Sequence, residues 1–293
     1  KKKSFVRRIN IKGNTKTNDE VYRRELRQFE SSTYSESKIQ RSKIRLQRLK
    51  FVNQVDVNKT IIDENNGYID IDFLLDETQS GEFKIGAGYS DSSGAIFNVK
   101  VQQDNFLGKG NNVALELEKS SYKKLLRYRN TNPYFTEDGI SKSTSIVLSE
   151  TDVSETSTAA YISDTFAYGV DYNVPISEDR SYGYGAEIIL TEYTTTIGSP
   201  TNVTNFLNEH GDSHFGIMFK ANIVEDTRDR TVYATQGKRQ SITSNLFIKP
   251  DLDYSYTSIK FSGEYNTPYR LSFLDMFDWD TVFQIKPQIG IGT

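Results

Sequence analysis

Most of the chain alternates apolar and polar residues with a period of two, the pattern of β-strands whose two faces meet different surroundings. Residues 81–90 (GEFKIGAGYS) show this pattern, with Phe83, Ile85, Ala87 and Tyr89 on the apolar side and Glu82, Lys84, Gly86 and Gly88 on the polar side. This strand opens a long series of similar segments, so no earlier strand of the series can pair with its first edge. That free edge is the first candidate for a functional site.

About eleven segments alternate in this way, and no convincing helix is predicted among them. They are residues 81–90, 94–104, 110–121, 122–131, 140–151, 159–174, 181–195, 213–225, 238–249, 254–266 and 281–292. Most have a length close to the roughly 9–11 residues with which a tilted strand crosses a bilayer. A transmembrane barrel would turn the apolar face to lipid and a soluble β-sandwich would bury it, so periodicity alone does not choose between them.

The residues before 81 follow a different pattern, which predicts a small domain of the order β-α-α-β-β over residues 1–80. The elements are a strand at 4–11, a helix at 18–30, a second helix from Ser35 or Ser37, and strands at 51–62 and 68–75. The second helix is predicted to bury Ile39, Ile44 and Leu46. The domain contains no nucleophile–base pair and no phosphate loop, which indicates a scaffold or a binding module. The strand at 51–62 is a candidate edge for the addition of a partner strand.

The composition excludes several classes of protein. Hydrophobic residues make up 36% of the chain and charged residues 26%, and no apolar run approaches the roughly 18 residues of a membrane-spanning helix. There is no cysteine, and the two histidines, His210 and His214, lie in a predicted loop. A disulfide framework is therefore excluded and a metal site is not expected. We expect no cofactor, no nucleotide and no enzymatic activity.

The charge is distributed unevenly along the chain. The net charge is −3, but residues 1–80 carry 17 Lys and Arg against 12 Asp and Glu. A basic head on an acidic body indicates an acidic partner or an anionic membrane surface near the head. A solvated helix face explains any single Lys or Arg equally well. Nucleic acid is not an expected partner.

The connections between the predicted strands alternate in chemistry. Every second connection contains Pro, Gly and aromatic residues, and the intervening ones are mainly polar. The first group comprises residues 105–110 (NFLGKG), 132–139 (NPYFTEDG), 174–179 (VPISED), 226–237 (DTRDRTVYATQG) and 267–280. Two chemically different ends, with aromatic residues near strand termini, favour a barrel in an asymmetric membrane over a sandwich.

Three stretches resemble signature turns of a known family. Residues 102–110 (QQDNFLGKG), 132–139 and 226–237 are similar to turns of the BamA family, central subunits of the outer-membrane barrel assembly machinery of Gram-negative bacteria. Residues 1–80 resemble the last POTRA domain of that family, including the run 23–28 (RRELRQ) on the first helix. The similarity covers nearly the whole chain in the same order. Organelle relatives and two-partner secretion translocators share parts of it.

The resemblance implies a mainly β fold in two parts. Residues 1–80 would be the last POTRA domain, in the periplasm, and residues 81–293 the N-terminal portion of an antiparallel β-barrel in the bacterial outer membrane. About eleven of sixteen expected strands would be present. The family's V-R-G-F/Y loop motif and an aromatic-ended final strand are absent from the sequence, so we expect the chain to be a fragment.

The resemblance also implies a function, which is the folding and insertion of unfolded outer-membrane β-barrel clients in contact with outer-membrane lipid. Clients would dock on the free edge of the first barrel strand, which acts as a lateral gate. The implied docking residues are Glu82, Phe83, Lys84, Ile85, Gly86, Ala87, Gly88 and Tyr89. Gly86 and Gly88 either weaken the seam so that it can open or simply admit bulky neighbours in the lumen.

Two further groups of residues match the family pattern. Arg24, Glu25 and Arg27 match the place where the last POTRA domain contacts the accessory lipoprotein BamD, although an ordinary charge cluster on a helix is the alternative. The turn motifs are represented by Asn132, Pro133, Tyr134, Phe135, Asp226, Arg228, Asp229 and Gly237. We expect the charged members to fix strand register rather than to form a catalytic pair, and Gly237 to need a positive φ.

Two other functions remain open at this point. A protein-translocating pore of the same superfamily, of the two-partner secretion or organelle import type, would keep a stable seam at residues 81–90 and pass its client through the lumen. A soluble periplasmic β-domain with an adhesive function would be a monomer in water without detergent.

Overall fold

The computed structural model describes residues 3–63, 66–91, 94–155, 160–228, 234–250, 254–268 and 282–292. These residues contain fifteen strands, three α-helices and one short 3-10 turn, which confirms the mainly β fold. The chain divides into two compact units, Lys1–Lys84 with Lys100–Leu115, and Ile85–Val99 with Glu116–Thr293. The domain boundary at residue 80 stays a prediction.

The first unit begins with a small sheet and two helices. Its elements are β1 (Phe5–Lys12), α1 (Asp19–Arg23), α2 (Glu36–Gln47), β2 (Val52–Asp63) and β3 (Tyr68–Glu77). β3 is the middle strand, parallel to β1 and antiparallel to β2. The predicted order β-α-α-β-β is confirmed.

A cluster of apolar side chains holds these strands and helices together. It includes Val6, Ile9, Val21, Tyr22, Ile39, Leu46, Val55, Ile71 and Phe73, all of them buried. Burial of one such side chain contributes roughly 1.5–3 kcal/mol. The cluster draws on every strand and on both helices, so it stabilises the whole arrangement.

The first helix is shorter than predicted, because α1 ends at Arg23 rather than at Glu30. The hydroxyl oxygen of Ser42, on α2, accepts hydrogen bonds from the backbone N–H groups of Arg27 at 2.8 Å and Gln28 at 3.4 Å. A side-chain oxygen here takes the place of helical carbonyl acceptors. The charged run predicted for the first helix therefore lies mostly beyond its end.

The second helix follows Ser35, as predicted, but its buried face differs from the predicted one. α2 buries Ile39, Ser42 and Leu46, which are spaced three and four residues apart as one helix face requires. Ile44 lies outside this spacing and is 48% exposed. The small Ser42 occupies the core position because its hydroxyl serves the backbone of the preceding segment.

The remaining strands form one large antiparallel sheet. They are β4 (Gly81–Ser90), β5 (Gly94–Phe106), β6 (Asn111–Lys119), β7 (Lys123–Asn132), β8 (Ser141–Asp152), β9 (Tyr161–Pro175), β10 (Arg180–Thr195), β11 (Ser213–Asp226), β12 (Gly237–Lys249), β13 (Tyr254–Pro268), β14 (Val282–Ile285) and β15 (Gln288–Gly292). Consecutive strands are neighbours from β4 to β14, and β15 pairs with β13. The predicted series of sequential antiparallel strands is confirmed.

The predicted eleventh segment forms two strands instead of one. β14 and β15 both pair antiparallel with β13, and Lys286 and Pro287 separate them. Proline has no backbone N–H to donate to a ladder, although the carbonyl oxygen of Pro287 still accepts from the N–H of Gly263 at 2.9 Å. Among the described residues the sheet therefore has 12 strands, where eleven are predicted.

One connection contains a helix where the sequence predicts only a loop. α3 (Thr201–His210) follows Pro200 and ends before Gly211, which has a φ of +80°. His210 thus lies on a helix rather than in a loop. A 3-10 turn also occurs at Val153–Glu155. None of the helices in the described part of the chain is both long enough and apolar enough to cross a membrane.

One face of the large sheet carries rows of apolar side chains that continue from strand to strand. Directly opposed neighbours across β7 to β11 form one such row, which consists of Leu126, Leu148, Phe166, Leu190 and Phe215. The next row consists of Tyr128, Ile146, Tyr168, Ile188 and Ile217. Six of these ten residues are exposed, namely Leu148, Phe166, Tyr168, Ile188, Leu190 and Phe215. The rows thus form an apolar surface that the described protein does not cover.

The opposite face carries small, polar and charged side chains. One of its rows consists of Thr131, Ser143, Asp171, Gly185 and Lys220. The ammonium of Lys220 lies 2.5 Å from a carboxylate oxygen of Glu187. In a soluble sandwich the apolar face would be buried under a second sheet. Here the charged face and the apolar face are both open, which is the division expected of a barrel wall.

Candidate functional site

β4 lies at one end of the large sheet and has β5 as its neighbour among the described strands. Its apolar side chains are strongly exposed, with values of 64% for Phe83, 69% for Ile85 and 77% for Tyr89. A strand with a single neighbour presents N–H and C=O groups along its other edge. The structure therefore places all the predicted docking residues on one edge strand.

The charged pair on β4 does not tie the strand to the rest of the sheet. The ammonium of Lys84 lies 2.7 Å from Oε1 of Glu82, two residues earlier on the same strand. Both side chains are exposed to solvent, which screens the attraction between them, so the pair adds little to the stability of the strand.

The two glycines of β4 have different surroundings. A Cβ at Gly86 would lie 2.3 Å from Oδ1 of Asn98, so the missing side chain lets Asn98 lie across the strand. A Cβ at Gly88 would meet no described atom within 4 Å. Gly86 therefore admits a close neighbour, and Gly88 leaves a gap in the packing of the edge.

The three residues predicted to contact a lipoprotein do not form one exposed patch. Glu25 keeps only 9% of its side chain exposed, and Nη2 of Arg45 lies 2.6 Å from its carboxylate. Arg24 is the C-cap residue that follows α1, and Arg27 donates its backbone N–H to Ser42. A partner that contacts Glu25 would therefore find its carboxylate next to the guanidinium of Arg45.

The turn after β7 is closed by its own residues. β7 ends at Asn132, and Pro133, which has no N–H, begins the turn. Oδ1 of Asn132 accepts a hydrogen bond from the N–H of Tyr134 at 3.0 Å. The ring of Phe135 packs edge-on against Tyr172 on β9, with 6.0 Å between ring centroids. The motif therefore joins its own hairpin to the next strand.

The charged turn after β11 forms a network that spans three strands. Arg228 donates two hydrogen bonds to the carboxylate of Asp226, at 2.9 and 2.8 Å, and two to Glu264 on β13, at 3.2 and 3.3 Å. Gly237 has a φ of +94°, in the left-handed region. Asp229 lies outside the described residues. Carboxylates neutralised by an arginine in this way suit register control rather than acid–base chemistry.

Sequence reasoning missed a carboxylate at the end of β3. Glu77 accepts hydrogen bonds from the backbone N–H groups of Thr15 at 3.0 Å, Lys16 at 2.8 Å and Thr17 at 3.1 Å. It also accepts one from the hydroxyl of Tyr22 at 2.7 Å. We call this group of donors the Glu77 nest. Its donors lie about sixty residues earlier in the chain, so no local motif could have indicated it.

The nest holds Glu77 in its charged form. Burial alone would raise the pKa of this carboxyl, but hydrogen bonds from the loop and from Tyr22 outweigh burial and lower the pKa to about 2. Burial raises the pKa of Tyr22, so its hydroxyl stays protonated and donates. The result is a carboxylate that stays negatively charged at neutral pH among oriented N–H groups.

The two histidines pack against the same phenylalanine. The ring of Phe206 packs against His210 at 4.9 Å and is stacked on His214 at 5.5 Å, between ring centroids. Nε2 of His214 lies 3.0 Å from the carbonyl oxygen of Gly211. No group of three His, Cys, Asp or Glu in the described residues is arranged to hold a metal ion.

Comparisons with known proteins match both parts of the chain. The profile of the Omp85 superfamily domain matches residues 105–287, which is more than half of the chain. The POTRA profile, described as surface antigen variable number repeat, matches residues 4–78.

Curated relatives include outer membrane protein assembly factors named BamA. The factor of Neisseria meningitidis serogroup B is 28% identical over 282 residues, which cover 93% of this chain and 35% of the relative. The factor of Buchnera aphidicola subsp. Acyrthosiphon pisum is 33% identical over 135 residues, which cover 46% of this chain and 22% of the relative. The chain thus spans about a third of the length of the Neisseria relative.

Solved structures share the fold. BamA from Haemophilus ducreyi lacking POTRA domains 1–3 matches with a TM-score of 0.72 and 24% identity, over 99% of this chain and 55% of that one. CdiB from Acinetobacter baumannii matches with a TM-score of 0.61 and 12% identity, over 99% and 53%. At these identities the likeness shows the fold alone. Together with the profile and the curated relatives, it confirms the resemblance to BamA proteins, and the chain belongs to the Omp85 superfamily.

Proposed function

We propose that this chain is the last POTRA domain, at residues 1–80, and the first part of the barrel, at residues 81–293, of an outer-membrane protein insertase. The POTRA domain lies in the periplasm and the sheet in the outer membrane. Its activity is the folding and insertion of β-barrel clients, without enzymatic chemistry or a cofactor. The curated relatives, which are named as outer membrane protein assembly factors, support this proposal.

The exposed apolar rows support the membrane placement. Exposure of apolar surface to water costs roughly 25 cal/mol per Å², and the rows of the large sheet extend over five strands. Lipid removes that cost without a second protein layer. The charged opposite face then lines a hydrated interior.

The edge of β4 that faces away from β5, for which the described residues supply no partner strand, is the observation that carries the proposed mechanism. Within a bilayer, each backbone N–H or C=O that lacks a partner costs several kcal/mol, because no water replaces the missing hydrogen bond. A client strand that pairs with β4 satisfies both edges at once, so β4 acts as a template. The free energy of client folding drives the reaction.

Cysteine crosslinking tests this mechanism, since the chain has no cysteine of its own. Single cysteines are placed at residues 83–89 of the full-length protein, and a stalled client carries one cysteine in its last strand. Disulfides are scored position by position in the outer-membrane fraction of cells. We expect crosslinks with a period of two residues and in one register, because pairing on an edge strand alternates its faces.

The same experiment separates the insertase from a protein-translocating pore of the same superfamily. A pore predicts no crosslinks at β4, and crosslinks at cysteines that replace Glu116 or Lys220 on the interior face. That outcome would overturn the insertase. Absence of the protein from the outer-membrane fraction would contradict the membrane placement and favour a soluble β-domain.

We further propose that Arg24, Glu25 and Arg27 contact an accessory lipoprotein of the BamD type. Because Glu25 is paired with Arg45, a single Glu25→Arg change would also break an internal ion pair. The double variant Glu25→Arg with Arg45→Glu restores that pair with reversed polarity. We expect both variants to lose copurification of the lipoprotein. Recovery of copurification in the double variant would mean that Glu25 acts inside the domain only.

A further inference from the structure

The loop that forms the Glu77 nest is also bonded to the turn between β5 and β6. Oγ1 of Thr17 accepts a hydrogen bond of 2.7 Å from the side-chain amide of Asn105, at the end of β5. Oδ1 of Asn105 accepts one from the N–H of Gly110 at 2.8 Å. The N–H of Asn18 donates to the carbonyl oxygen of Gly108 at 3.0 Å. The loop and the turn therefore form one hydrogen-bonded body.

The close approach of loop and turn depends on the backbone of the turn. Leu107, Gly108 and Gly110 all have positive φ, with values of 54°, 72° and 72°. A Cβ at Gly108 would lie 2.4 Å from the carbonyl oxygen of Lys16. The turn is thus shaped so that its carbonyl and amide groups reach the loop.

The end of β5 in turn holds the residue that precedes β4. The N–H of Asp104 donates to the carbonyl oxygen of Ser80 at 3.0 Å, and Nε2 of Gln103 donates to the hydroxyl of Ser80 at 2.6 Å. The ammonium of Lys50 lies 3.3 Å from Asp104. The segment that follows Glu77 is therefore hydrogen-bonded at Ser80, three residues later, to the same β5–β6 hairpin.

These contacts close a ring, which we call the entry ring: Glu77, the loop at 15–18, the end of β5 with its turn, Ser80, and the chain back to Glu77. It borders a cavity of about 370 Å³ whose lining includes Phe51, Thr78 and Leu107. The members of the ring that line this space are joined to one another by hydrogen bonds. All of its members belong to the first unit, together with Gly81–Lys84 of β4.

We propose that Glu77 is a positioning residue for client-strand docking, because the ring that it closes fixes the point at which β4 begins. This inference rests on the proposed function, in which β4 is the template. A template transfers a register only if its own start is fixed, since a shift by one residue exchanges the two faces of every paired strand. Glu77 supplies the charged acceptor that three backbone amides and the hydroxyls of Thr15 and Tyr22 share.

The variant Glu77→Gln tests the proposal in the full-length protein. Glutamine keeps the size of the side chain, but it is neutral and replaces one acceptor oxygen by an NH₂ group that faces other donors. The hydrogen bonds to a neutral acceptor should together be weaker by at least about 1.4 kcal/mol. We therefore expect amide exchange at Lys16 and Thr17 to accelerate at least about tenfold. We also expect client crosslinks at residues 83–89 to spread from one register to several.

The matched control is Asp70→Asn, a carboxylate on the same strand that forms an ion pair with Arg7 at 2.5 Å. It removes the same charge from β3 without touching the entry ring. We expect one crosslink register and unchanged exchange at residues 15–17. If crosslinks in this control also spread over several registers, a general loss of charge or stability in the domain would be enough to explain the effect of Glu77→Gln. The proposal would then be wrong.

A second variant, Thr17→Val, breaks the ring at another point while the backbone donors to Glu77 remain. It should spread the registers as Glu77→Gln does, and the two effects should not add in the double variant, because both act in one ring. If Glu77→Gln unfolds the first unit, the crosslinks of Thr17→Val decide the matter. A single register in Thr17→Val would overturn the proposal.

The outcome for the wild-type protein keeps the two hypotheses apart. If the wild-type chain yields no crosslinks at β4, the proposed function fails whatever the variants do. If the wild-type chain crosslinks in one register and Glu77→Gln does the same, the insertase stands and only the positioning role of Glu77 is refuted.

Discussion

At the scale of single residues, two carboxylates of the first unit are held by different kinds of partner. Glu25 faces one guanidinium, that of Arg45, at 2.6 Å. Glu77 faces three backbone amides, which a side-chain substitution does not remove, besides the hydroxyls of Thr15 and Tyr22. An ion pair can be reversed in sign by two substitutions, but backbone amides only donate, so they always favour an anion over a neutral acceptor. The charge of Glu77 is therefore the variable that a single substitution or a change of pH can test.

Acid should weaken the Glu77 nest in a defined direction. The pKa of Glu77 falls from 4.5 to about 2 on folding. The stability that it contributes is therefore fully present above the unfolded pKa and is lost as the pH falls through the folded pKa. We expect the protection of the amides at residues 15–17 against hydrogen exchange, corrected for intrinsic rates, to decrease from about pH 5 to about pH 2.

The control for this experiment is Glu77→Gln, which has no charge to lose at that position. Other carboxyls of the unit, Glu36, Asp70 and Asp72, also have lowered pKa values and titrate in the same range. The amide protection that is due to the charge of Glu77 is the difference in protection between the wild-type protein and the variant. This difference should shrink towards zero at low pH. A difference that stays constant over this range would contradict the role of the charge.

At the scale of elements, the turns between strands depend on a few backbone positions. Gly237 begins β12 with a φ of +94°, and a Cβ there would lie 2.4 Å from the carbonyl oxygen of Thr227. We expect Gly237→Ala to destabilise the sheet by about 1–3 kcal/mol, the cost of a non-glycine residue held in a strained conformation. The measurement is the midpoint of urea unfolding of the full-length protein in detergent.

Gly88→Ala is the matched control for the turn glycine. Gly88 lies within β4 and has no described atom within 4 Å of an added Cβ. Alanine should therefore leave the unfolding midpoint nearly unchanged. Equal destabilisation by the two substitutions would show that the loss of a strand or turn glycine in general, rather than positive φ at Gly237, is responsible.

Elements whose signals are local follow the sequence closely. β4 spans the predicted residues 81–90, and the period of two locates the other long strands to within a few residues. The deviations arise where one residue changes the hydrogen bonding. Pro287 interrupts the last strand because it lacks an N–H, and α1 stops early because Ser42 supplies an acceptor from another helix.

At the scale of the whole molecule, apolar side chains are used in two different ways. The first unit buries them in a core. The large sheet instead exposes them in rows, and few apolar residues on its described strands are buried, such as Leu125 and Ala167. A sheet of this kind is stabilised by an apolar surrounding outside the chain rather than by its own interior. This is why the proposed crosslinking is carried out in the membrane.

The sequence by itself determined the order of the elements, the two chemically different faces of the strands and the family, because these depend on local periodicity and on short motifs such as residues 132–139. Only the tertiary structure decided which partners the polar groups find. Glu77 meets the loop at 15–17, Glu25 meets Arg45, and Asn105 meets Thr17, over separations of 20 to 88 residues. Such contacts arise when strands and loops are brought together in space, and neither period nor composition records them.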